Sequence, residues 1–173
     1  IPQDKFIVGS FQRDTEGHDL KSPKLEKGPD IFIEYVKKLK EEKDNLCVLL
    51  GGWRRQYIIK RLEEENIDYI YKRLASRDEL KDMYASCDLY VVSSRHEGGP
   101  QAILEAAAMK VPIISTDVGV AKDILSKNCV FDINQKVYYP TQQDIEESYN
   151  NVMKYDIEKH IENYIAFFEN SLR

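Results

Sequence analysis

Nothing in this sequence approaches the run of about 20 apolar residues that a membrane-spanning helix needs, so no bilayer crossing is expected. Positive charge is in deficit as well: 25 lysines and arginines stand against 30 aspartates and glutamates, a formal net charge of −5. Binding a phosphate backbone needs clustered cations, so no nucleic acid is expected as the main partner. The basic residues near the front of the chain point instead to a local anion site. Cysteine is scarce. Cys47, Cys87 and Cys129 lie far apart, in or beside apolar segments, without disulfide density or zinc spacing. They read as buried thiols of a reducing, cytoplasmic compartment, because the electropositive setting of a reactive cysteine is missing around them. His18, His96 and His160 are scattered, and no Asp-x-Asp stands ready for a metal-bound diphosphate, so no metal site is expected. The opening Ile1-Pro2-Gln3 runs straight into a strand-like segment without a charged-then-apolar leader, and no secretion signal is expected.

What the chain does contain is a regular alternation. At 173 residues it fits one domain able to bury a sizeable core without disulfides or metals. Strand-length apolar runs fall at 5–10, 46–51, 67–71, 88–93, 112–115 and 129–132. Leu46-Cys47-Val48-Leu49-Leu50 and Leu89-Tyr90-Val91-Val92 are continuous rather than alternating, the pattern of strands covered on both faces. Between the strands, Phe32, Tyr35, Val36 and Leu39 repeat at helical spacing after Gly28-Pro29. Similar logic places helices near 54–65, 77–86, 100–109 and 120–126. Repeated βα units predict an α/β fold, a doubly wound parallel sheet. From Thr141 the chain reads as a helical tail, about 141–173, with Ile157, Ile161, Tyr164, Phe168 and Leu172 on one stripe. That stripe packs either on its own domain or on another one.

The segment richest in chemistry runs Ser93-Ser94-Arg95-His96-Glu97-Gly98-Gly99-Pro100-Gln101-Ala102-Ile103-Leu104-Glu105. It leaves the carboxyl end of a buried strand, turns through two glycines and enters a helix at Pro100, which puts its loop where open α/β sheets bind ligands. Free N–H groups and the helix dipole there can hold oxygens or negative charge. Across the turn and about six helical residues at 1.5 Å each, Glu97 and Glu105 should lie on the order of 9 Å apart. Two carboxyl groups working on one glycosidic bond by retention stand about 5 Å apart. The longer spacing suits two hydroxyl-bearing rings joined by a diphosphate. A solvated loop acid and a helix-surface acid are the plainer reading.

Glu97 through Glu105, the alanine-rich helix that follows and Val111-Pro112-Ile113-Ile114-Ser115-Thr116 resemble the signature of the retaining group 1 (family four) glycosyltransferases of GT-B fold. The resemblance spans about residues 5–130. It implies that the chain is the C-terminal, Rossmann-like, nucleotide-sugar-binding half of a two-domain enzyme, with C-terminal helices and a missing N-terminal acceptor domain. It implies sugar contacts for Glu97, Gly98 and Gly99, with Pro100 and His96 beside them, and ribose contacts for Glu105. Around the donor diphosphate the family places an arginine and a Lys-Gly, to which Arg13 and Lys27 correspond. Cations there would stabilise charge developing on the leaving group. The connection Gln12 to Glu26 is longer than the family's, so Lys21 or Lys24 could replace either. Gly51, Gly52, Lys72 and Arg73 correspond to the border of the nucleobase.

The resemblance further implies a nucleoside-diphosphate sugar as donor, a UDP-sugar as the expectation, with no cofactor and no metal. It also implies peripheral membrane association of the full enzyme at most. A nicotinamide-binding Rossmann domain is disfavoured, because Ser10-Phe11-Gln12-Arg13 stands where G-x-G-x-x-G is required. A nucleotide-sugar 2-epimerase of related fold and a non-catalytic nucleotide-sugar-binding module remain as alternatives.

Overall fold

The computed structural model of the chain describes residues 2, 4–132 and 136–171. After β1 (Phe6–Ser10) comes a short antiparallel hairpin, β2 (Thr15–Glu16) and β3 (Ser22–Pro23), and then α1 (Pro29–Glu42). Next follow β4 (Leu46–Gly51), α2 (Gln56–Glu64), β5 (Asp68–Lys72), α3 (Arg77–Ala85), β6 (Leu89–Val92), α4 (Gln101–Ala108) and β7 (Ile113–Ser115). The five longer strands pair in parallel in the order β5-β4-β1-β6-β7. Every residue of β4 and of β6 is buried, as their continuous apolar composition requires of a sheet sandwiched between helices.

Helix α1 starts where Gly28 adopts a left-handed φ of 58° and Pro29 supplies a first turn that needs no N–H. Its inward face carries Phe32, Val36 and Leu39, each with no exposed surface. At about 1.5–3 kcal/mol for each fully buried side chain, these three alone hold α1 firmly on the sheet. Helix α2 begins two residues later than its apolar spacing suggests, because Arg54 sits at φ 59° and cannot continue a right-handed turn backwards. Helix α4 buries Ile103, Ala106 and Ala107, and its small alanines let it lie close over the sheet.

One expectation needs correction. The run 129–132 is not a strand: Lys127–Cys129 is a 3-10 turn, and one isolated bridge from Ser115 to Val130 is all the pairing it makes. Only three residues of β7 are available as an edge for it. After the short α5 (Ala121–Ile124) the chain is helical from Thr141, as expected, in separate pieces. Helix α6 (Gln142–Val152) docks through Ser148 and Val152, a 3-10 turn follows at Met153–Tyr155, and α7 (Ile157–Ser171) begins after Asp156. The apolar stripe of α7 is not covered: Ile157, Tyr164, Phe167 and Phe168 are each more than half exposed. Leu172 lies outside the described residues.

The polar connection after β1 is ordered by a buried ion pair. Arg55, with no exposed surface, pairs with Asp14 and donates to Ser10 O at 2.7 Å, to Gly51 O at 2.8 Å and to Ser10 Oγ at 3.1 Å. A buried charge is tolerable only when its hydrogen bonds are satisfied, and these contacts tie the connection to the ends of β1 and β4. All three cysteines are buried, and burial pushes the thiols of Cys87 and Cys129 up to about 12.

Candidate functional site

The sheet reverses its winding direction between β1 and β6, so the loops after these strands diverge and leave a crevice at their carboxyl ends. Those loops are the basic connection 11–28 and the glutamate-glycine segment 93–100. They are locked together by backbone contact. The N–H groups of Arg95 and His96 donate to Glu26 O at 2.8 and 3.2 Å, and the Arg95 guanidinium grips Asp30 with two bonds of 2.8 and 2.6 Å. Gly28 makes the approach feasible: a Cβ there would lie 1.8 Å from Ser93 O.

Across this seam Lys27 Nζ forms an ion pair with Glu97 Oε1. The backbone of Lys27 is held too, its carbonyl accepting from Gln12 Nε2 at 2.9 Å and Ser93 Oγ at 3.3 Å. Ser94 Oγ lies 3.0 Å from Glu97 Oε1 and 3.2 Å from Gln12 Oε1, within reach of both. Lys27 and Glu97 stand at the junction of two clefts. The first, about 370 Å³, is lined by Phe11, Gln12, Tyr84, Tyr90, Gly99, Pro100 and Glu105 as well as the pair. The second, about 660 Å³, continues past Lys24, Arg95, His96, Gly98 and Asp117.

Between the acids lies the Gly98-Gly99 turn. A Cβ on either glycine would meet nothing within 4 Å, and neither has a positive φ. The chain's own packing therefore does not demand glycine at these positions; what their missing side chains provide is access to backbone. Among the described residues, the N–H groups of Gly98 and Gly99 find no backbone acceptor. Pro100 caps α4 without a side-chain hydrogen bond, and no acid occupies the first turn, so the positive end of the helix faces the cleft uncompensated. From the other side Gly119, at φ 51°, packs against Gly98 O and Glu97 O, where a Cβ would come within 2.8 and 3.1 Å. That contact buttresses the turn.

Glu105 is exposed on α4, lines the first cleft and has a partner within the fold: the Tyr84 hydroxyl donates to its Oε2 at 2.9 Å. The structure brings Lys27, Glu97, Gly99, Pro100 and Glu105 to one cleft, and Lys24, His96 and Gly98 to its neighbour. Arg13 lines neither, its Nε donating to Thr15 O at 3.0 Å. Gly51, Gly52, Lys72 and Arg73 line neither cleft; they lie at the ends of β4 and β5, where Gly51 backs onto the Phe11 ring, Lys72 pairs with Glu79 at 2.5 Å and Gly52 N–H meets Lys72 O at 3.1 Å. Sequence reasoning passed over Gln12, Ser94 and Tyr84. Gln12 stands beside the flagged Arg13, whereas Tyr84 sits on the inward stripe of α3, where an aromatic reads as core.

A doubly wound parallel sheet with this crevice is a Rossmann-like fold. The chain belongs to the family described as "Glycosyl transferases group 1", whose profile matches residues 21–165. It is 23% identical over 134 residues, 77% of its length, to the O-antigen biosynthesis glycosyltransferase WclY of Escherichia coli, of which it covers 35%. The fold is shared with a UDP-forming trehalose-phosphate synthase from Burkholderia xenovorans at a TM-score of 0.76 and 12% identity, over 99% of this chain and 46% of that one. It is also shared with HepE of Anabaena, solved with UDP and glucose, at a TM-score of 0.68 and 17% identity, over 97% and 49%. The chain thus spans about a third of the curated relative and about half of these two solved chains.

Proposed function

We propose that the chain is the donor-binding half of a retaining glycosyltransferase that takes a nucleoside-diphosphate sugar, a UDP-sugar in the first instance, without a metal ion. The sugar passes to a glycan, lipid or other acceptor held by an N-terminal half of the same protein, working in the cytoplasm with at most peripheral attachment to a membrane. The observation that carries this reading is the line of groups along the crevice. A carboxylate without a cation among the described residues stands at one end, open glycine amides and an uncapped helix N-terminus lie in the middle, and a lysine paired with a second carboxylate stands at the junction of the two clefts.

Glu105 then accepts the ribose hydroxyls. The diphosphate lies over the Gly98-Gly99 amides, where the helix dipole and Lys27 oppose its charge, with Arg13 and Lys24 as further cations at this end of the sheet. When the bond to the sugar breaks, negative charge grows on the leaving nucleoside diphosphate, and fixed positive groups lower that barrier more than they stabilise the bound donor. Lys27 exchanges Glu97 for phosphate oxygen, which frees Glu97 to accept sugar hydroxyls in the second cleft, near His96 and Gly98. The ends of β4 and β5, with Gly51, Gly52, Lys72 and Arg73, border the base. HepE was solved with UDP and the trehalose-phosphate synthase is UDP-forming, and this supports uridine.

Calorimetric titration of the chain with UDP and a UDP-sugar tests this. Charge-assisted hydrogen bonds contribute about 1.5–3 kcal/mol, so Glu105→Gln should weaken UDP binding about tenfold or more. Glu97→Gln should weaken the UDP-sugar more than bare UDP, since it removes a sugar contact while releasing Lys27. Affinity for UDP unaltered by Glu105→Gln would overturn the ribose role.

A further inference from the structure

Both acids of the crevice are held, but by different chemistry. Glu97 is neutralised by Lys27, whereas Glu105 has no cation partner among the described residues and is held by a neutral phenol. That phenol is itself fixed. Tyr84 is 2% exposed on α3, its ring packs edge-on against Phe11 with centroids 4.9 Å apart, and it leans on Tyr90 at 5.0 Å. Tyr90 is anchored in turn, because its hydroxyl accepts the Phe11 N–H at 3.0 Å. The three rings line the cleft that holds Glu105 and join Phe11, just past β1, and Tyr90, within β6, to α3.

We propose that Tyr84 is a positioning residue for nucleotide recognition: its hydroxyl fixes Glu105 Oε2 and thereby sets the carboxylate that receives the ribose diol. This rests on the ribose reading above and adds the group that makes it selective. A glutamate on an exposed helix face samples several rotamers, and ordering it costs free energy on binding. Tyr84 removes that cost in advance. A lysine in the same place would also order the carboxylate, but it would cancel the charge that strengthens bonds from the diol hydroxyls. The phenol leaves that charge intact and leaves Oε1 to the ligand. It stays a donor throughout the working range, because burial, then the proximity of Tyr90 and Glu105, raise its pKa far above the ordinary value.

The variant Tyr84→Phe keeps the ring packing and removes only the hydroxyl. It is titrated with whichever of UDP, ADP and GDP binds the parent most tightly, and with the 2′,3′-dideoxy counterpart. Losing an orienting bond to a charged acceptor should weaken the ribonucleotide on the order of fivefold, while affinity for the dideoxy compound stays at the parent's value, so discrimination for the diol shrinks. In a Glu105→Gln background, Tyr84→Phe should have no further effect. Equal weakening of both nucleotides would make Tyr84 a packing residue and overturn the proposal, as would an unchanged ribonucleotide affinity. If Glu105→Gln alone leaves the ribonucleotide bound as tightly as by the parent, the ribose reading fails and the proposal falls with it. If Glu105→Gln weakens binding while Tyr84→Phe does not, only the proposal falls.

Discussion

At the scale of single residues, two kinds of glycine meet at this crevice and behave oppositely under the same substitution. Gly28 is demanded by the fold: its φ is 58°, and a Cβ would overlap a backbone carbonyl that cannot step aside. Gly28→Ala should cost about 2–4 kcal/mol, seen as a fall in denaturation midpoint, since both strain and displaced backbone contribute. Gly98 is free of either constraint. Gly98→Ala should therefore leave stability within about 0.5 kcal/mol of the parent, while the added methyl sits where a diphosphate would approach the amides and weakens nucleotide-sugar binding. The contrast separates a turn kept for folding from one kept for a ligand. A Gly98→Ala chain that unfolds early, or binds nucleotide sugar like the parent, would remove the turn from the proposed donor site.

Elements were legible from sequence to the extent that local pattern decides them. The continuous apolar runs of β4 and β6, short and set in a βα alternation, read as strands covered on both faces, and Gly28-Pro29 marked the start of α1. What stayed hidden depends on contacts between distant residues. The hairpin of β2 and β3, two residues each, persists because Asp14 meets Arg55, 41 positions away, and no period in the sequence reports that pair. Tyr84 and Glu105 are 21 positions apart on different helices, so a core-like stripe concealed a site contact. The glutamates and glycines were readable because strand, turn and helix follow one another directly. Helix α6 carries its own test. Asp144 forms a capping box with Thr141 and also accepts from Ser126 Oγ at 2.7 Å and Tyr138 Oη at 2.6 Å. Burial works to raise its pKa, but the bonds from Thr141, Tyr138 and Ser126 outweigh it and hold the carboxyl well below the usual range. A depressed folded pKa contributes stability that is complete above the unfolded value, about 4, and is lost as pH falls towards the folded one. Asp144→Asn should therefore destabilise the chain by about 1–3 kcal/mol at pH 7, and the difference from the parent should shrink steadily below about pH 4. A gap in urea midpoint that stays constant down to pH 2.5 would mean that the carboxylate's charge contributes nothing.

On the scale of the whole molecule, two features concern what this chain can do by itself. Its parallel sheet is covered on both faces and its core is continuous from β5 to β7, so it should fold alone and unfold cooperatively. Its crevice, by contrast, is open on one side, and among the described residues nothing closes over the second cleft, the proposed place of the transferred sugar. An acceptor must be aligned with the reacting carbon to within a few tenths of an ångström, and such positioning contributes about 7–11 kcal/mol to catalysis. On the proposed reading this chain holds one half of a divided site and lacks that contribution. The chain should therefore bind nucleotide sugar yet transfer no sugar, and supplying a longer chain with the other half should restore transfer. Helix α7 gives an independent reading of the same event. Its stripe of Ile157, Tyr164, Phe167 and Phe168 is exposed here, and a helix with so little packed surface opens locally far more easily than the sheet. Amide exchange along 157–171 should be fast in this chain while β1 and β4 are protected to the level of global unfolding. If a second half packs on that stripe, exchange there should slow markedly in the longer protein. Acceptor glycosylation by this chain alone, with contaminating enzyme excluded, would overturn the division of labour between the halves, and α7 protection identical in both proteins would show that the stripe has no part in joining them.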